Sequence, residues 1–411
     1  MSAERAEGAG ACRAALFHGP ARGFSLVTLA LPRLAAGEAL VRVEATTLCG
    51  SDLHSVTGRR GVPVPTLLGH EVVGRIDAMC GEVRAIDGEA LAVGDRVVWS
   101  VIVACGACAR CARGMPQKCV KLAKFGHAAQ PESGARLDGG LAEFVHLPRG
   151  ASIARVGEAL PAALAAQATC AAATAAACVR VAMRASARAG SPLAVSGAEP
   201  MGRLAGGLEG ARALIHGAGA LGLFATALAR AAGAREVHVV DVDAGRLELA
   251  RALGATELHL ARSDVPRDAS RATAQDAAPS LTEAARAPGG RAGSEGFDVT
   301  FELTGDAAAC ERSVALAALG GTVVLAGAVL PTPAARIDPE HIVRKLVRIE
   351  GVHNYLPGDL AVALDALQRR TEGWPEAVTA PPEFTLDDVP AAFEHALRER
   401  PLRVVVRPHQ T

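Results

Sequence analysis

The hydrophobic pattern divides the chain into two regions of different character. From residue 12 to about residue 150, short segments alternate between apolar and polar positions and are separated by turns rich in Gly and Pro. These segments are AALF, FSLVTLAL, ALVRVEAT, VVGRIDAM, GDRVVWSVIV and AEFVHL. A period of two, interrupted often by turn residues, is typical of β-strands. The first region is therefore predicted to form an all-β, barrel-like domain.

The second region, from about residue 159, begins with Ala-rich helical segments and continues as strands that alternate with helices. Its apolar segments are ALIHG, EVHVVD, ELHL, DVTFELTG and GTVVLAG. Nearly continuous apolar strands alternating with helices favour a parallel, doubly wound sheet that is buried on both faces. Two segments without periodicity, Ser186 to Glu209 and Ser263 to Gly296, are interpreted as surface insertions because they are rich in Ala, Gly, Ser, Pro and Arg.

Length and charge narrow the class of protein. A chain of 411 residues is expected to form two domains. The chain has 43 Lys and Arg residues and 43 Asp and Glu residues, so its formal net charge is zero. It therefore has no net positive charge that would attract nucleic acid or an anionic membrane. We therefore expect neither nucleic acid nor membrane as a partner.

The cellular compartment is inferred from three features. The N-terminal residues MSAERAEGAGACRAALF have no apolar core of a signal peptide. The small-residue run from Ala159 to Met183 contains Gln167 and Arg180 and is better interpreted as a packed helix than as a membrane span. The chain has ten cysteines, several of them expected as metal-binding thiolates, which indicates a reducing compartment. A cytoplasmic location is expected.

Four cysteines form the most specific local pattern. Cys105, Cys108, Cys111 and Cys119 have the spacing C-x-x-C-x-x-C-x(7)-C. Four thiolates in one loop can enclose a tetrahedral zinc ion and leave no position open, which is typical of a structural site. Disulfides and chance occurrence in an Ala- and Arg-rich chain are two alternatives. An iron–sulfur cluster is a third, since similar thiolate spacings serve both zinc and iron–sulfur sites.

A glycine pattern predicts dinucleotide binding. Gly217, Gly219 and Gly222 form a GxGxxG pattern between the apolar run ALI and a helical stretch, with Leu221 inside it. Asp241 ends the next predicted strand, 19 residues after Gly222. Strand, glycine turn, helix and a following acidic residue are the context that the dinucleotide fingerprint requires.

Several longer segments resemble a known family. LCGSDLHSVTGRRGVPVPTLLGHEVVG, GMPQKCVKLAKFGH and ATCAAATAAA are similar to the zinc-containing medium-chain alcohol dehydrogenases. Within that family the chain is most similar to the branch associated with phosphonate catabolism. The resemblance implies a discontinuous GroES-like β-barrel catalytic domain of residues 1–174 and 350–411 and a Rossmann domain of residues 175–349. It also implies a homodimer or homotetramer acting on a small alcohol, aldehyde or ketone.

The resemblance implies a second, catalytic zinc site. Such a site needs three protein ligands and one open position. Cys49 and His70 match two ligands of the family, and Cys170, in the pattern Cys-x-x-x-Thr, matches the third. Relatives use either a Cys or a carboxylate there, and a buried structural thiol is the alternative for Cys170. Thr174 would then lie beside the nicotinamide.

Four polar residues are expected to support the catalytic zinc. Asp52 is expected to accept a hydrogen bond from the second ring nitrogen of the zinc-binding His. Glu71 matches a residue that lies close to the zinc in relatives and can ligate it transiently. Ser51 resembles the hydroxyl that hydrogen-bonds the substrate, and His54 resembles the histidine that passes the proton to water. A solvated histidine without a role is the alternative for His54.

Cofactor choice is expected to depend on the end of the second Rossmann strand. Asp241 should bind the ribose hydroxyls and repel a 2′-phosphate, which favours NAD over NADP. Arg246 argues against this preference for NAD, because a nearby basic residue can accommodate the 2′-phosphate of NADP.

The sequence indicates the substrate less specifically than it indicates the cofactor. Arg59 and Arg60 follow His54 in a loop that lies along the substrate cleft of relatives, where arginines could bind a phosphonate through bidentate hydrogen bonds. Solvated surface charges are the alternative. Lys121, Lys124 and His127 are further basic candidates. A secondary alcohol, a polyol and a hydroxyalkyl phosphonate all fit.

Other functions stay open at this point. One is a sorbitol or threonine dehydrogenase-like enzyme, and another is a non-catalytic zinc-binding relative. The third is a zinc-free quinone reductase of the same fold. The last would lack both metal-binding patterns, and a non-catalytic relative would be expected to lose Cys49, His70 or the glycines, all of which are present.

Overall fold

The computed structural model describes residues 10–130, 136–188, 207–261, 279–286, 295–369 and 373–409. The chain divides into two compact units. The first comprises Met1–Ala173, Leu356–Glu372 and Glu376–Thr411, and the second comprises Thr174–Tyr355 and Gly373–Pro375. Both ends of the chain therefore contribute to the first unit.

The described strands follow one another along the chain. They are β1 (Ala11–Phe17), β2 (Phe24–Ala30), β3 (Glu38–Thr47), β4 (Thr66–Leu67), β5 (Glu71–Cys80), β6 (Arg96–Trp99), β7 (Ile102–Val103), β8 (Ala123–Lys124), β9 (Phe144–Leu147), β10 (Ile153–Arg155), β11 (Arg212–His216), β12 (Glu236–Asp241), β13 (Glu257–Leu260), β14 (Phe297–Glu302), β15 (Ala317–Leu325), β16 (Arg348–Gly351), β17 (Glu383–Thr385) and β18 (Val405–Arg407).

The described helices are mostly short in the first unit and longer in the second. They are α1 (Gly50–Val56), α2 (Ala109–Ala112), α3 (Ala162–Gln167), α4 (Ala173–Arg188), α5 (Ala220–Ala231), α6 (Ala244–Ala252), α7 (Pro279–Arg286), α8 (Ala307–Ala315), α9 (Pro339–Lys345), α10 (Pro357–Arg369), α11 (Glu376–Thr379) and α12 (Val389–Glu399). A 3₁₀ turn covers Pro116–Lys118, and a π-helical turn, Ala168–Ala172, joins α3 to α4.

The first unit is built around a seven-stranded sheet. Its order is β10-β6-β5-β3-β18-β17, with β9 also paired to β3. Strands β3 and β5 run antiparallel, and β18 joins the free edge of β3 through Val405 opposite Thr47. The inward-facing residues form an apolar core that includes Val41, Val43, Val72, Ile76, Val97, Trp99 and Phe125. The C-terminal strand is thereby brought beside β3.

The second unit contains a six-stranded parallel sheet. The strand order is β13-β12-β11-β14-β15-β16, so the first strand of the unit lies in the centre and the order reverses beside it. This is the order of a Rossmann fold. Every residue of β11, RALIH, is buried, as expected for a central strand covered on both faces.

The Ala-rich segment Ala162–Arg184 is long and apolar enough to cross a membrane by length and composition. Its most apolar window has a mean hydropathy of 1.6, yet 89% of that window is buried inside the protein. It is a core helix, as the sequence predicts.

The interpretation of two segments as surface insertions is wrong where the structure describes them. Most of Ser186 to Glu209 and Ser263 to Gly296 lies outside the described residues. However, Leu208 is buried, and α7 forms within the second segment. Leu281 and Ala285, four residues apart, lie on one face of α7 and pack into the core of the second unit. A helix of two turns has too few apolar positions for its period to stand out in the sequence.

Candidate active site

Three candidate metal ligands meet in the first unit. The ligand atoms of Cys49, His70 and Cys170 all lie within 4.8 Å of one another. Cys49 is the N-cap of α1, His70 directly precedes β5, and Cys170 lies in the π-helical turn. π-Helical turns occur often at functional sites, because the extra residue redirects one side chain from the regular helix face. Three separate elements thus converge on one point.

Asp52 organises the first two of these residues. Its carboxylate accepts hydrogen bonds from the backbone N–H of Cys49 at 3.0 Å and from His70 Nδ1 at 3.2 Å. Burial raises the pKa of Asp52, but attraction to His70 and their hydrogen bond outweigh burial and leave the pKa below its usual value. The bond to Nδ1 directs His70 Nε2 away from Asp52, to within 3.3 Å of Ser51 Oγ.

Glu71 pairs with an arginine beside the group of ligands. Its fully buried carboxylate accepts from Arg403 Nε at 2.7 Å and from Arg403 Nη2 at 2.8 Å. It also accepts from the Thr47 hydroxyl at 2.6 Å. Arg403 Nη2 lies 3.9 Å from Cys49 Sγ, so the guanidinium also faces the thiol. Sequence reasoning missed Arg403; the available signal was a charged residue in the apolar run LRVVV.

The donor set fits a catalytic zinc ion. The hydrogen bond from Cys170 lowers the pKa of the Cys49 thiol well below its usual range, and the same contact raises the pKa of Cys170. Two thiols that share a proton beside an imidazole nitrogen offer soft ligands for a divalent cation. Two cysteines and one histidine leave a fourth position for substrate.

The four cysteines of the loop form a second group. Cys105, Cys108, Cys111 and Cys119 have sulfur atoms within 4.8 Å of one another. The Cys119–Cys105 and Cys108–Cys111 distances are 3.4 and 3.5 Å, so the cysteines are free rather than paired in disulfides. The backbone N–H groups of Val120 and Cys111 lower the pKa of Cys108 to about 6, whereas burial and the Cys108 thiol raise the pKa of Cys111 to about 12. Without a cation, the four neighbouring thiols do not all lose their protons. A bound zinc ion would stabilise all four thiolates, so the group fits a closed zinc site.

The proton-transfer candidates lie on α1. Ser51 is partly buried beside His70, as given above, whereas His54 lies one turn further along the helix. Burial, followed by repulsion from Arg59, lowers the pKa of His54 below its usual value. No hydrogen bond joins the Ser51 and His54 side chains in the described part of the chain.

The basic candidates after α1 separate in the structure. Arg59 is exposed and has no ion-pair partner within the described ranges, and Lys121 is also exposed. Arg60 is partly buried and its Nη1 lies 3.2 Å from His127 Nε2. The ring of His127 lies 4.9 Å from that of His70, centroid to centroid. Of the two neighbouring arginines, Arg60 is therefore the one that contacts the histidine beside His70.

The glycine turn of the second unit has the shape of a phosphate-binding loop. A Cβ on Gly222 would overlap the Gly217 carbonyl oxygen, so only glycine fits there. Gly219 is the N-cap of α5 and supplies no side-chain cap, which leaves backbone N–H groups at the helix N-terminus free for an anion. Leu221 is partly buried in the first turn of α5, and Thr174 is partly buried in α4. These features fit the pyrophosphate of a dinucleotide.

The acidic residue at the end of β12 is tied to the glycine turn. Asp241 accepts from the backbone N–H of Ala218 at 2.6 Å and from that of Asp243 at 2.9 Å. Asp243 in turn caps α6 and lies 3.8 Å from Arg246 Nε. Asp241 is therefore held at the turn, and Arg246 has an acidic partner of its own.

A parallel sheet with a glycine turn, together with a three-ligand and a four-thiol metal group, defines the class of nicotinamide-dependent zinc oxidoreductases. Two family models match the chain: the alcohol dehydrogenase GroES-like domain over residues 35–157 and the zinc-binding dehydrogenase over residues 220–369. The 5-exo-hydroxycamphor dehydrogenase of Pseudomonas putida is 30% identical over 363 residues, 88% of this chain and 89% of the relative. The chain belongs to the zinc-binding medium-chain alcohol dehydrogenase family.

One further relative and two solved structures are also similar to this chain. L-Threonine 3-dehydrogenase of Deinococcus deserti is 29% identical over 340 residues, 80% of each chain. An alcohol dehydrogenase from Thermotoga maritima superposes with a TM-score of 0.80 at 24% identity, covering 97% of this chain and all of that one. A zinc-binding dehydrogenase from Sinorhizobium meliloti 1021, solved with NADP bound, has a TM-score of 0.71 at 24% identity, covering 97% of this chain and 100% of that one. The predicted fold class is confirmed.

Proposed function

We propose that this protein oxidises a small secondary alcohol with NAD⁺ at a zinc site formed by Cys49, His70 and Cys170. The main support is the convergence of these three ligand atoms within 4.8 Å. The overall reaction converts alcohol and NAD⁺ into carbonyl compound, NADH and one proton. Zinc, when bound, lowers the pKa of an alcohol hydroxyl, and the nicotinamide accepts the hydride.

The protein residues have three tasks in this proposal. Asp52 holds His70 by its Nδ1 so that Nε2 is available as a ligand, in line with their distance of 3.2 Å. Ser51 accepts a hydrogen bond from the alcohol hydroxyl through its Oγ. His54, which has no hydrogen bond to Ser51 in the described residues, is the proposed group that passes the released proton to solvent. Glu71, bound to Arg403 as described, keeps a negative charge beside the site and balances the guanidinium next to Cys49.

NAD is the proposed cofactor because Asp241 ends β12, where the adenosine ribose hydroxyls are bound in this fold. The association of Arg246 with Asp243 supports the same choice, since it partly neutralises the residue that would otherwise favour a 2′-phosphate. Thr174, Leu221, Gly217, Gly219 and Gly222 complete the proposed cofactor site.

The relatives suggest further substrate classes. Several are L-threonine 3-dehydrogenases, so oxidation of a β-hydroxy amino acid is the alternative to a simple secondary alcohol or polyol. Similarity to the phosphonate-associated branch adds a hydroxyalkyl phosphonate. We further propose a homodimer or homotetramer in the cytoplasm, which size-exclusion chromatography with light scattering and cell fractionation would test.

A substrate panel and metal analysis test the proposal together. The purified protein is assayed with NAD⁺ or NADP⁺ and with secondary alcohols, polyols, L-threonine and hydroxyalkyl phosphonates, by NADH or NADPH absorbance. The proposal expects turnover with NAD⁺ and two zinc ions per chain. One zinc without turnover would indicate a structural remnant, and no zinc would indicate the zinc-free reductase type; either result contradicts it.

A further inference from the structure

Arg60 and His127 form a pair of donors beside the candidate active site. Arg60 Nη1 lies 3.2 Å from His127 Nε2, although the two residues are 67 positions apart in the chain. A guanidinium donates and never accepts, so Nε2 must be the accepting nitrogen. The imidazole is therefore neutral and carries its proton on Nδ1.

His127 is held firmly against the candidate metal group. Its ring lies 4.9 Å from the ring of His70, and its ligand atom lies within 4.8 Å of those of His70 and Asp52. The preceding Gly126 has a φ of +72°, and a Cβ there would approach His70 Cβ and the Gly69 carbonyl at 3.0 Å. The backbone is thus in close contact with the His70 segment. His127 therefore lies beside the candidate ligand His70.

Both members of the pair have donors without an acceptor. His127 Nδ1 is buried and has no hydrogen-bond partner among the residues that the structure describes. Over the same residues, Arg60 has no carboxylate within ion-pair distance, and its remaining N–H groups have no acceptor. Asp52 is the acidic residue in the group around His127, and its carboxylate is already bound to His70 and to two backbone N–H groups. A buried donor that is left unpaired costs about 1–3 kcal/mol, so an acceptor is the missing partner.

Lys124 adds positive charge on the same side. It is partly buried in β8, three residues before His127. Burial, followed by repulsion from Arg60, lowers the pKa of its ammonium group. Two cations and a neutral N–H donor, with no counter-charge among the residues that the structure describes, favour an oxyanion as the occupant.

We propose that Arg60 and His127 form the subsite for an acidic oxyanion group of the substrate, a carboxylate or a phosphonate, so that the substrate is a hydroxyalkyl acid. This inference rests on the proposed function, since it assigns the substrate class of the same site. Arg60 binds two oxygens of this group through its free N–H groups, and His127 holds the guanidinium in place by accepting through Nε2. The Nδ1–H of His127, on the opposite edge of the ring, is available to a second acceptor of the substrate. The hydroxyl to be oxidised then reaches the position left open by Cys49, His70 and Cys170.

Arg59 provides a matched control. It adjoins Arg60 and carries the same charge, but it is exposed and unpaired over the described residues. The variants Arg60→Gln and Arg59→Gln therefore make the same change in net charge. His127→Asn keeps a side-chain acceptor for Arg60, whereas His127→Leu removes it.

The first experiment compares kcat/KM for two matched alcohols, 3-hydroxybutyrate and 2-pentanol, and for 2-hydroxypropylphosphonate, all with NAD⁺. A charge-assisted contact predicts that at least one of the acids is preferred over 2-pentanol by about tenfold or more. Arg60→Gln and His127→Leu should reduce that ratio by about tenfold, whereas Arg59→Gln leaves it unchanged and His127→Asn restores part of it. Zinc content is measured for every variant. Equal kcat/KM for charged and uncharged alcohols, with active enzyme, would overturn the subsite and leave the proposed function intact.

The second experiment measures binding without turnover. Acetate and methylphosphonate are titrated into the zinc-loaded protein by calorimetry, and the two arms distinguish a carboxylate from a phosphonate subsite. At least one should bind, and Arg60→Gln but not Arg59→Gln should weaken it by about tenfold. Binding of neither anion, or equal weakening by both arginine variants, would refute the subsite. Selective binding in a protein without dehydrogenase activity would support the subsite and refute the proposed function instead.

Discussion

The pair formed by Glu71 and Arg403 should be the most costly interaction to break in the first unit. Arg403→Met removes two hydrogen bonds of 2.7 and 2.8 Å and leaves a fully buried carboxylate with the Thr47 hydroxyl as its one remaining described partner. Breaking one side of a buried ion pair costs about 3–5 kcal/mol, because the remaining charge is desolvated and uncompensated. Glu71→Gln should destabilise the unit similarly. The double variant, which leaves no isolated charge, should cost less than the sum of the single variants by at least about 2 kcal/mol.

The chain offers both a specific probe and a matched control. It has two tryptophans. Trp99 lies in the core of the first unit and Trp374 belongs to the second, so Trp374→Phe makes the fluorescence report on the first unit alone. Arg407 makes the same two-bond contact with Glu383, at 2.8 and 2.7 Å, but their side chains are 35% and 48% exposed. Arg407→Met should therefore cost less than about 1 kcal/mol.

Urea unfolding of the zinc-loaded variants, followed by Trp99 fluorescence, measures these free energies. Zinc content is determined in parallel, because Arg403 also faces Cys49. If Arg403→Met costs no more than Arg407→Met, or if the cost of the double variant equals the sum of the single costs, the buried pair does not stabilise the site as argued.

Three further predictions concern the other parts of the molecule. Cys108→Ser should lower the melting temperature and remove one zinc ion per chain, since one loop supplies all four thiolates; full zinc with an unchanged melting temperature would contradict the closed site. Asp241→Ala should raise KM for NAD⁺ and improve turnover with NADP⁺, and a parent enzyme that already prefers NADP⁺ would contradict the cofactor assignment. His216 is buried and burial lowers its pKa from 6.5 to about 3, so it stays neutral in the fold while the unfolded chain takes up a proton below about pH 6.5. Wild-type stability should therefore fall relative to His216→Gln by about 2 kcal/mol between pH 7 and pH 5, measured by urea unfolding, and parallel pH profiles would refute this.

Local patterns predicted the parts of the fold that depend on neighbouring residues. The alternation in ALVRVEAT predicted β3, and the apolar run before GAGALG predicted β11 and the turn to α5. The need for glycine at position 222 follows from the close approach of the helix to the Gly217 carbonyl, which is built into the turn itself. Short-range geometry of this kind is encoded in spacing, so sequence reasoning reaches it.

Contacts between segments that are distant in the chain could not be predicted from the sequence in this way. Arg403 pairs with Glu71 across 332 positions, because β18 returns to the edge of β3. Nothing in the residues around Arg403 indicates which carboxylate it meets. Likewise, the sequence treated Arg59 and Arg60 as equivalent, whereas the turn after α1 leaves the first in solvent and brings the second to His127. Such distinctions depend on the tertiary structure.

The zinc content of Cys170→Ala tests the central proposal most directly. Cys178→Ala is the matched control, since Cys178 is a buried cysteine two helical turns further along the same segment and is outside both metal groups. We expect Cys170→Ala to lose one of two zinc ions and its dehydrogenase activity while it still binds NAD, and Cys178→Ala to keep both ions and its activity. A Cys170→Ala protein with two zinc ions and near-native turnover would show that the third ligand lies elsewhere, with Glu71 as the nearest candidate.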